Sequence, residues 1–195
     1  AQQPSVSLSQ AGNDAVGVPL NPMAWQNGNL NPNQSHYIEK HSVGYRLIMK
    51  AMPVGQEVTL TLGYDLVNGG HFALDFLTGF QQLQPHNFNA HGTEEVVNPL
   101  LPAALIPATT TLPINLPSYL LPGNDGIQGV AQSRADFNGL PPEDKLISIW
   151  GANFNIGYGI TYQYFENSAP LNEVEVLDLA RGETKVQFTI KFTPT

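Results

Sequence analysis

The sequence predicts an all-β fold, a Greek-key β-sandwich with a long proline-rich insertion and an N-terminal strand extension. Three observations predict it. The last quarter alternates apolar and polar residues through Glu173-Val174-Glu175-Val176-Leu177 and Lys185-Val186-Gln187-Phe188-Thr189-Ile190-Lys191-Phe192, the period of two that sends successive side chains to opposite faces of a strand. Alternating runs stand both before and after a proline-rich stretch, so strands must pair across a long sequence separation, as in a Greek key. Charged residues make up only 12% of the chain against a usual figure of about 25%, with little of the lysine and glutamate that coats exposed helices.

Taken in order, Ser5-Val6-Ser7-Leu8-Ser9 is a short strand that folds back on its own sheet or reaches into another subunit. The Gly-, Asn- and Pro-rich residues that follow read as loop, so residues 1–35 form a strand and an extended arm. Residues 36–195 form a single sandwich domain. Within it, Tyr45–Lys50 and Val58–Tyr64 flank a Pro53-Val54-Gly55 turn and predict a hairpin. Asn68-Gly69-Gly70 marks the next turn, and His71–Leu77 is strand or a helical turn. Residues 84–145 carry Pro99, Pro102, Pro107, Pro113, Pro117, Pro122, Pro141 and Pro142 among aliphatic residues, too many prolines for interior strands or long helices. They predict an extended excursion packed on another surface, with one short helix near 127–137. Strands return at Leu146–Trp150, Tyr158–Phe165 and the two terminal runs.

Composition excludes several classes of function. The chain has no cysteine, hence no disulfides, thiolate metal sites or cysteine nucleophiles, and its 195 residues suffice for a core that stands on packing. A net charge of −8 with eight scattered basic residues argues against a nucleic-acid partner. No apolar run reaches the roughly 20 residues of a membrane span. The polar start Ala1-Gln2-Gln3-Pro4 is of the kind left after removal of a secretory leader, and the expected location is extracellular or at the cell surface. Asn33-Gln34-Ser35 is a formal N-glycosylation sequon.

Catalytic patterning is weak. His36, His41, His71, His86 and His91 match no metal-binding or triad spacing, and Asp65, His71 and Asp75 form the one local grouping that a hydrolase would use. No cofactor is expected: the Asn124-Asp125 and Asn138 turns lack the ligand rhythm of a calcium loop, and Gly151, Gly157 and Gly159 lack the context of a nucleotide loop. Tyr158, Tyr162 and Tyr164 share one strand parity and are candidate glycan contacts if they lie exposed.

The segment Trp25-Gln26-Asn27-Gly28-Asn29-Leu30-Asn31, then Tyr37-Ile38-Glu39, Ser42-Val43-Gly44-Tyr45-Arg46 and Gly70-His71-Phe72-Ala73-Leu74-Asp75-Phe76-Leu77 resembles a module of large secreted repeat-bearing proteins of environmental bacteria. The resemblance implies an immunoglobulin-like or prealbumin-like β-sandwich in a surface or matrix component, with no catalytic residue to transfer. Lys40-His41 stands where that pattern has a Gly-Asp turn, and no tandem repeat accompanies the module here.

These readings converge on a secreted, non-enzymatic structural subunit. It would assemble with copies of itself into an extracellular filament, pilus-like fibre or biofilm matrix by donor-strand complementation. Val6 and Leu8, Leu100, Leu101, Leu105 and Ile106 of the proline-rich excursion, and Val186, Phe188, Ile190 and Phe192 of the last strand are the candidate interface residues. The alternative is an adhesive or carbohydrate-binding module whose partner is a cell-surface or matrix polysaccharide.

Overall fold

The computed structural model describes residues 2–37, 42–68, 71–74, 76–79, 83–84, 95–114, 137–151, 154–156, 161–166, 168–170 and 184–195. In chain order its strands are β1 (Ser5–Gly12), β2 (Ala24–Gln26), β3 (Tyr45–Lys50), β4 (Val58–Asn68), β5 (His71–Phe72), β6 (Leu83–Gln84) and β7 (Glu95–Val96). They continue with β8 (Thr110–Pro113), β9 (Leu146–Ile149), β10 (Phe154–Ile156), β11 (Thr161–Glu166), β12 (Ala169–Pro170) and β13 (Thr184–Pro194). The described pairings are antiparallel, and among the described residues helix is confined to a turn at residues 137–139 and a 3-10 turn at Pro142–Lys145. The fold is all-β.

The chain divides into two compact units, Ala1–Pro53 with Phe80–Ala108, and Val54–Gly79 with Thr109–Thr195. This differs from the expected arm and single domain split at residue 35. The N-terminal strand belongs to the body of the first unit, where β1 lies between β2 and β3.

In the first unit the Ser-Val-Ser-Leu-Ser alternation of β1 sets Val6 opposite Met49 and Leu8 opposite Leu47, so an apolar row runs along one face of the β1–β3 ribbon. At its other end β1 turns to β2 through Gln10, Ala11 and Gly12. There the unit's core forms from Ala11, Met23 and Val97, with Trp25 and Tyr37 packed against it. The approach is close: a Cβ on Gly44 would lie 3.1 Å from Val97 and 3.2 Å from Ala11. Pairing of β6 with β7 and a bond from Met23 N to Val96 O (2.9 Å) bring Glu95 and Val97 into this core.

In the second unit β13 is the central strand, flanked by β4 on one side and by β11 and β10 on the other. Its alternation works as the sequence predicts: Val186, Phe188, Ile190 and Phe192 are buried, opposite Tyr64, Leu62, Leu60 and Val58. Burial of each such side chain contributes about 1.5–3 kcal/mol. Separately, β8 pairs with β9 along Thr110–Pro113, and Phe137 meets Phe76 edge-on at 5.6 Å. Gly79 N bonds Asp144 O, and a Cβ at Gly79 would fall 2.8 Å from the Asp144 carbonyl carbon.

The expected hairpin between Tyr45–Lys50 and Val58–Tyr64 does not form. Both strands exist, yet β3 pairs with β1 and β4 with β13, in different units. The reason lies in the ladders on offer: β13 gives β4 a nine-position register rich in Phe and Ile, and β1 gives β3 a full-length partner. Of the proline-rich segment, residues 85–94 and 115–136 lie outside the described residues. Glu95–Ala108 belongs to the first unit, whereas Thr110–Pro113 is a strand of the second. The expected strand at 173–177 and most of the expected helix at 127–137 lie outside the described residues.

Candidate functional site

Two features carry chemistry: sheet edges with unspent backbone bonds, and a buried polar hub. The direction of the edge groups follows from single bonds. Leu74 N donates to Asp65 O at 3.0 Å, on the side of β4 where β5 lies, so Asp65 turns its backbone toward that side. A residue's N–H and C=O point to the same side of a strand and alternate with period two. From Asp65 back to Val58 the register with β13 is unbroken, the one shift falling between Thr184 and Lys185. Hence Val58, Leu60 and Leu62 bond β13, while Thr59, Thr61 and Gly63 present N–H and C=O to the outer edge. Beyond Val67 and Asn68, which face β5, no described strand pairs with that edge. Thr59, Thr61 and Gly63 are exposed, and neither Lys nor Pro interrupts the run.

The same reasoning applies to β1. Ala11 N donates to Gly44 O at 2.8 Å, toward β3, so Val6 and Leu8 turn their backbone groups away from β3. On that side β2 reaches only Gln10–Gly12. Val6 is 50% and Leu8 48% exposed.

The hub lies in the first unit. Glu95 is fully buried; its Oε2 accepts from Asn13 Nδ2 at 3.0 Å, and its Oε1 lies 3.1 Å from His36 Nε2. His36 Nδ1 faces Asp14 O at 2.6 Å, and the His36 backbone N–H donates to Asn13 Oδ1 at 2.9 Å. Since the carbonyl oxygen can only accept, Nδ1 is the ring nitrogen that donates in this contact. Each member fixes another, so the hub ties the turn after β1 to residue 36 and to β7. Beside it, the Tyr37 hydroxyl donates to Ala11 O at 2.8 Å; burial, and secondarily the Glu95 charge, push its pKa up. Arg46 stacks over the Trp25 ring at 4.6 Å and donates to Pro99 O and Leu101 O, while Trp25 Nε1 donates to Asn98 O at 2.7 Å.

The hub's described members are buried: Asn13, His36 and Glu95 are each 5% exposed or less. Among the described residues no group of three or more His, Cys, Asp or Glu gathers to hold a metal ion, and no helix is long and apolar enough to cross a membrane. An open polar cavity of about 140 Å³ lies nearby, lined by Gly12, Asp14, Leu20, Gln26, Asn33 and Gln34.

No family model, curated protein or solved structure matches the chain.

Of the residues singled out by sequence, Val6 and Leu8 lie on an open edge. Leu100, Leu101 and Leu105 are half-buried in the first unit, and Ile106 is 55% exposed. Val186, Phe188, Ile190 and Phe192 fill the core on a central strand, which leaves them no exposed surface for a neighbour. Tyr162 and Tyr164 take register positions opposite Phe188 and Val186 in β11; Tyr158 lies outside the described residues. Asn33 is exposed in a turn, its N–H held by Asn31 Oδ1 at 2.9 Å. Asp65 accepts from Asn68 Nδ2 at 2.8 Å, His71 opposes Asn68 in β5, and Asp75 lies outside the described residues. Sequence reasoning missed Glu95 and Asn13, and it missed the β4 edge, whose signal was the uncharged run Val58-Thr59-Leu60-Thr61-Leu62-Gly63.

Proposed function

We propose that the chain is a secreted structural module that associates with copies of itself through its sheet edges, as the subunit of an extracellular filament, pilus-like fibre or matrix. The observation that carries this reading is the outer edge of β4, a run of uncharged residues whose outward backbone donors and acceptors no described strand pairs, beside a buried apolar row. Folded chains protect such edges with charge, proline or a covering element, and an edge without these devices is a template for another strand. The exposed Val6 and Leu8 edge of β1 supplies a second, separate joint through which assembly can continue. In this reading the second unit's large sheet is one layer of an immunoglobulin-like Greek-key sandwich, and assembly needs neither cofactor nor enzyme activity. Size-exclusion chromatography with negative-stain electron microscopy tests it. Fibres or discrete oligomers are expected, and a monodisperse monomer at every concentration overturns it.

A second reading, a carbohydrate-binding adhesive, draws on the cavity beside Asp14, whose amide and carboxylate lining offers both donors and acceptors to sugar hydroxyls. Retention on immobilised polysaccharides that Asp14→Ala abolishes would favour it. Absence of retention across a glycan panel removes it.

A further inference from the structure

The β4 edge has a chemistry specific enough to name its occupant. Deepening the self-association reading, on which it rests, we propose that the outer edge of β4 pairs antiparallel with the same edge of a second copy, across a two-fold axis through Leu60.

Parity makes the strand self-complementary. In antiparallel pairing, residues that turn their backbone toward the joint must face one another, and directly opposite side chains lie on the same face. A two-fold at Leu60 sets Thr59 against Thr61, with both exchanging backbone bonds, and sets Val58 against Leu62. Each threonine meets a threonine on the solvent face, and each aliphatic residue meets another on the face shared with Phe188, Ile190 and Phe192. The apolar row of one sheet then continues into the other without a break.

Charge selects the register. With Leu60 on the axis, Glu57 falls opposite Gly63, which has no side chain, and keeps its own ion pair with Lys191 at 3.6 Å. Moving the axis to Thr61 would set Glu57 opposite Asp65 of the other copy, with like charges facing.

The other open edge is a poorer occupant. Val6 and Leu8 turn their backbone outward, so antiparallel pairing of β1 with β4 would place these two aliphatic side chains on the threonine face, in water. Only a parallel arrangement would align them with Leu60 and Leu62, and parallel pairing is the weaker kind, here with only Val6 and Leu8 to bond. The β4 joint therefore closes as an isologous dimer, and any longer assembly grows from that dimer through a different contact.

Sedimentation of the full chain over a concentration series tests the joint, with two substitutions on the solvent face of the sheet. Thr61→Lys places a charge on the edge; Thr189→Lys places the same charge on the neighbouring central strand, across from Thr61. The expected result is a dimer that Thr61→Lys weakens about tenfold or more while Thr189→Lys leaves it within a few-fold of the unmodified chain. A second measurement reads the register. Because the chain has no cysteine, Thr59→Cys/Thr61→Cys should give a disulfide-linked dimer on mild oxidation, since opposed Cα atoms in a bonded pair lie about 5.5 Å apart, within disulfide range. Association that both lysines weaken equally, or that neither weakens, with no cross-link, overturns the β4 joint and leaves self-association standing. A monomer at all concentrations overturns both.

Discussion

Substituting Glu95 by Ala removes the acceptor on which the first unit's polar hub depends, and its cost can be worked from geometry. Glu95 and His36 have fully buried side chains 3.1 Å apart, so loss of the carboxylate takes a polar partner from the buried Nε2 at about 1–3 kcal/mol. Asn13 Nδ2, bonded to the other carboxylate oxygen, loses its acceptor at about 1–3 kcal/mol more. The expected loss is about 2–6 kcal/mol, a large part of the whole stability of an ordinary domain, about 5–15 kcal/mol. The two tryptophans allow the loss to be localised: Trp25 belongs to the first unit and Trp150 to the second. In urea titrations of single-tryptophan variants, Glu95→Ala should move the Trp25 transition to much lower denaturant or abolish it. A shift worth under about 1 kcal/mol would refute the claim that the hub holds the unit together. Replacing Glu95 and His36 together by leucine should cost less than Glu95→Ala alone, because the imidazole is removed along with the carboxylate it faces and apolar volume fills the space.

Other perturbations have equally definite outcomes. The Tyr37 pKa is raised by burial and by Glu95, so the folded state keeps a proton that the unfolded chain releases near the ordinary value of 10.0. That stability is fully present below about pH 10 and is lost as pH rises further, so absorbance at 295 nm should show Tyr37 ionising only when the first unit unfolds. Arg46→Lys gives up the planar stack on Trp25 and one of two carbonyl bonds; a loss of about 1–2 kcal/mol is expected by urea denaturation, and none would remove the stack from the account. Gly79→Ala drives a Cβ into the Asp144 and Leu146 backbone and should cost the second unit about 1–3 kcal/mol in thermal unfolding, whereas Gly139→Ala, with open space around it, should cost far less. Val6→Lys/Leu8→Lys should leave the fold intact and stop growth beyond a dimer; fibres of normal length would exclude β1 as a joint. Deleting residues 1–10 is the poorer experiment, because it removes most of a strand that β3 needs.

The elements with strict alternation were legible in the sequence. Val186 to Phe192 and Val58 to Leu62 follow the period of two, and each row lies where that period places it. What could not be read was partnership. β3 and β4 look like a hairpin because a turn joins them, and only the three-dimensional competition between ladders sends them to different units. Glu95 and Asn13 are separated by 82 residues, and neither has a local pattern, so a carboxylate fully buried by an asparagine and a histidine leaves no periodic trace. Edge and centre are equally invisible: β4 and β13 carry similar alternation, yet among the described strands β13 has partners on both sides while β4, before Val67, has one only on the β13 side.

The direction of the chain through both ladders bears on how it would respond to a pull. β1 begins opposite the end of β3, Ser5 facing Lys50, and β13 ends opposite the beginning of β4, where Gly55 N also bonds Pro194 O. Tension drawn from either terminus toward the 53/54 crossing therefore acts on adjacent ends of an antiparallel pair. It opens the backbone bonds one after another, as a zipper opens, and never loads them all in shear. A strand clasped along its β4 edge would take force across the sheet, at right angles to that path. Pulling between Ser5 and Pro53, or between Val54 and Pro194, should thus find yielding at low force even if the assembled material resists stretching.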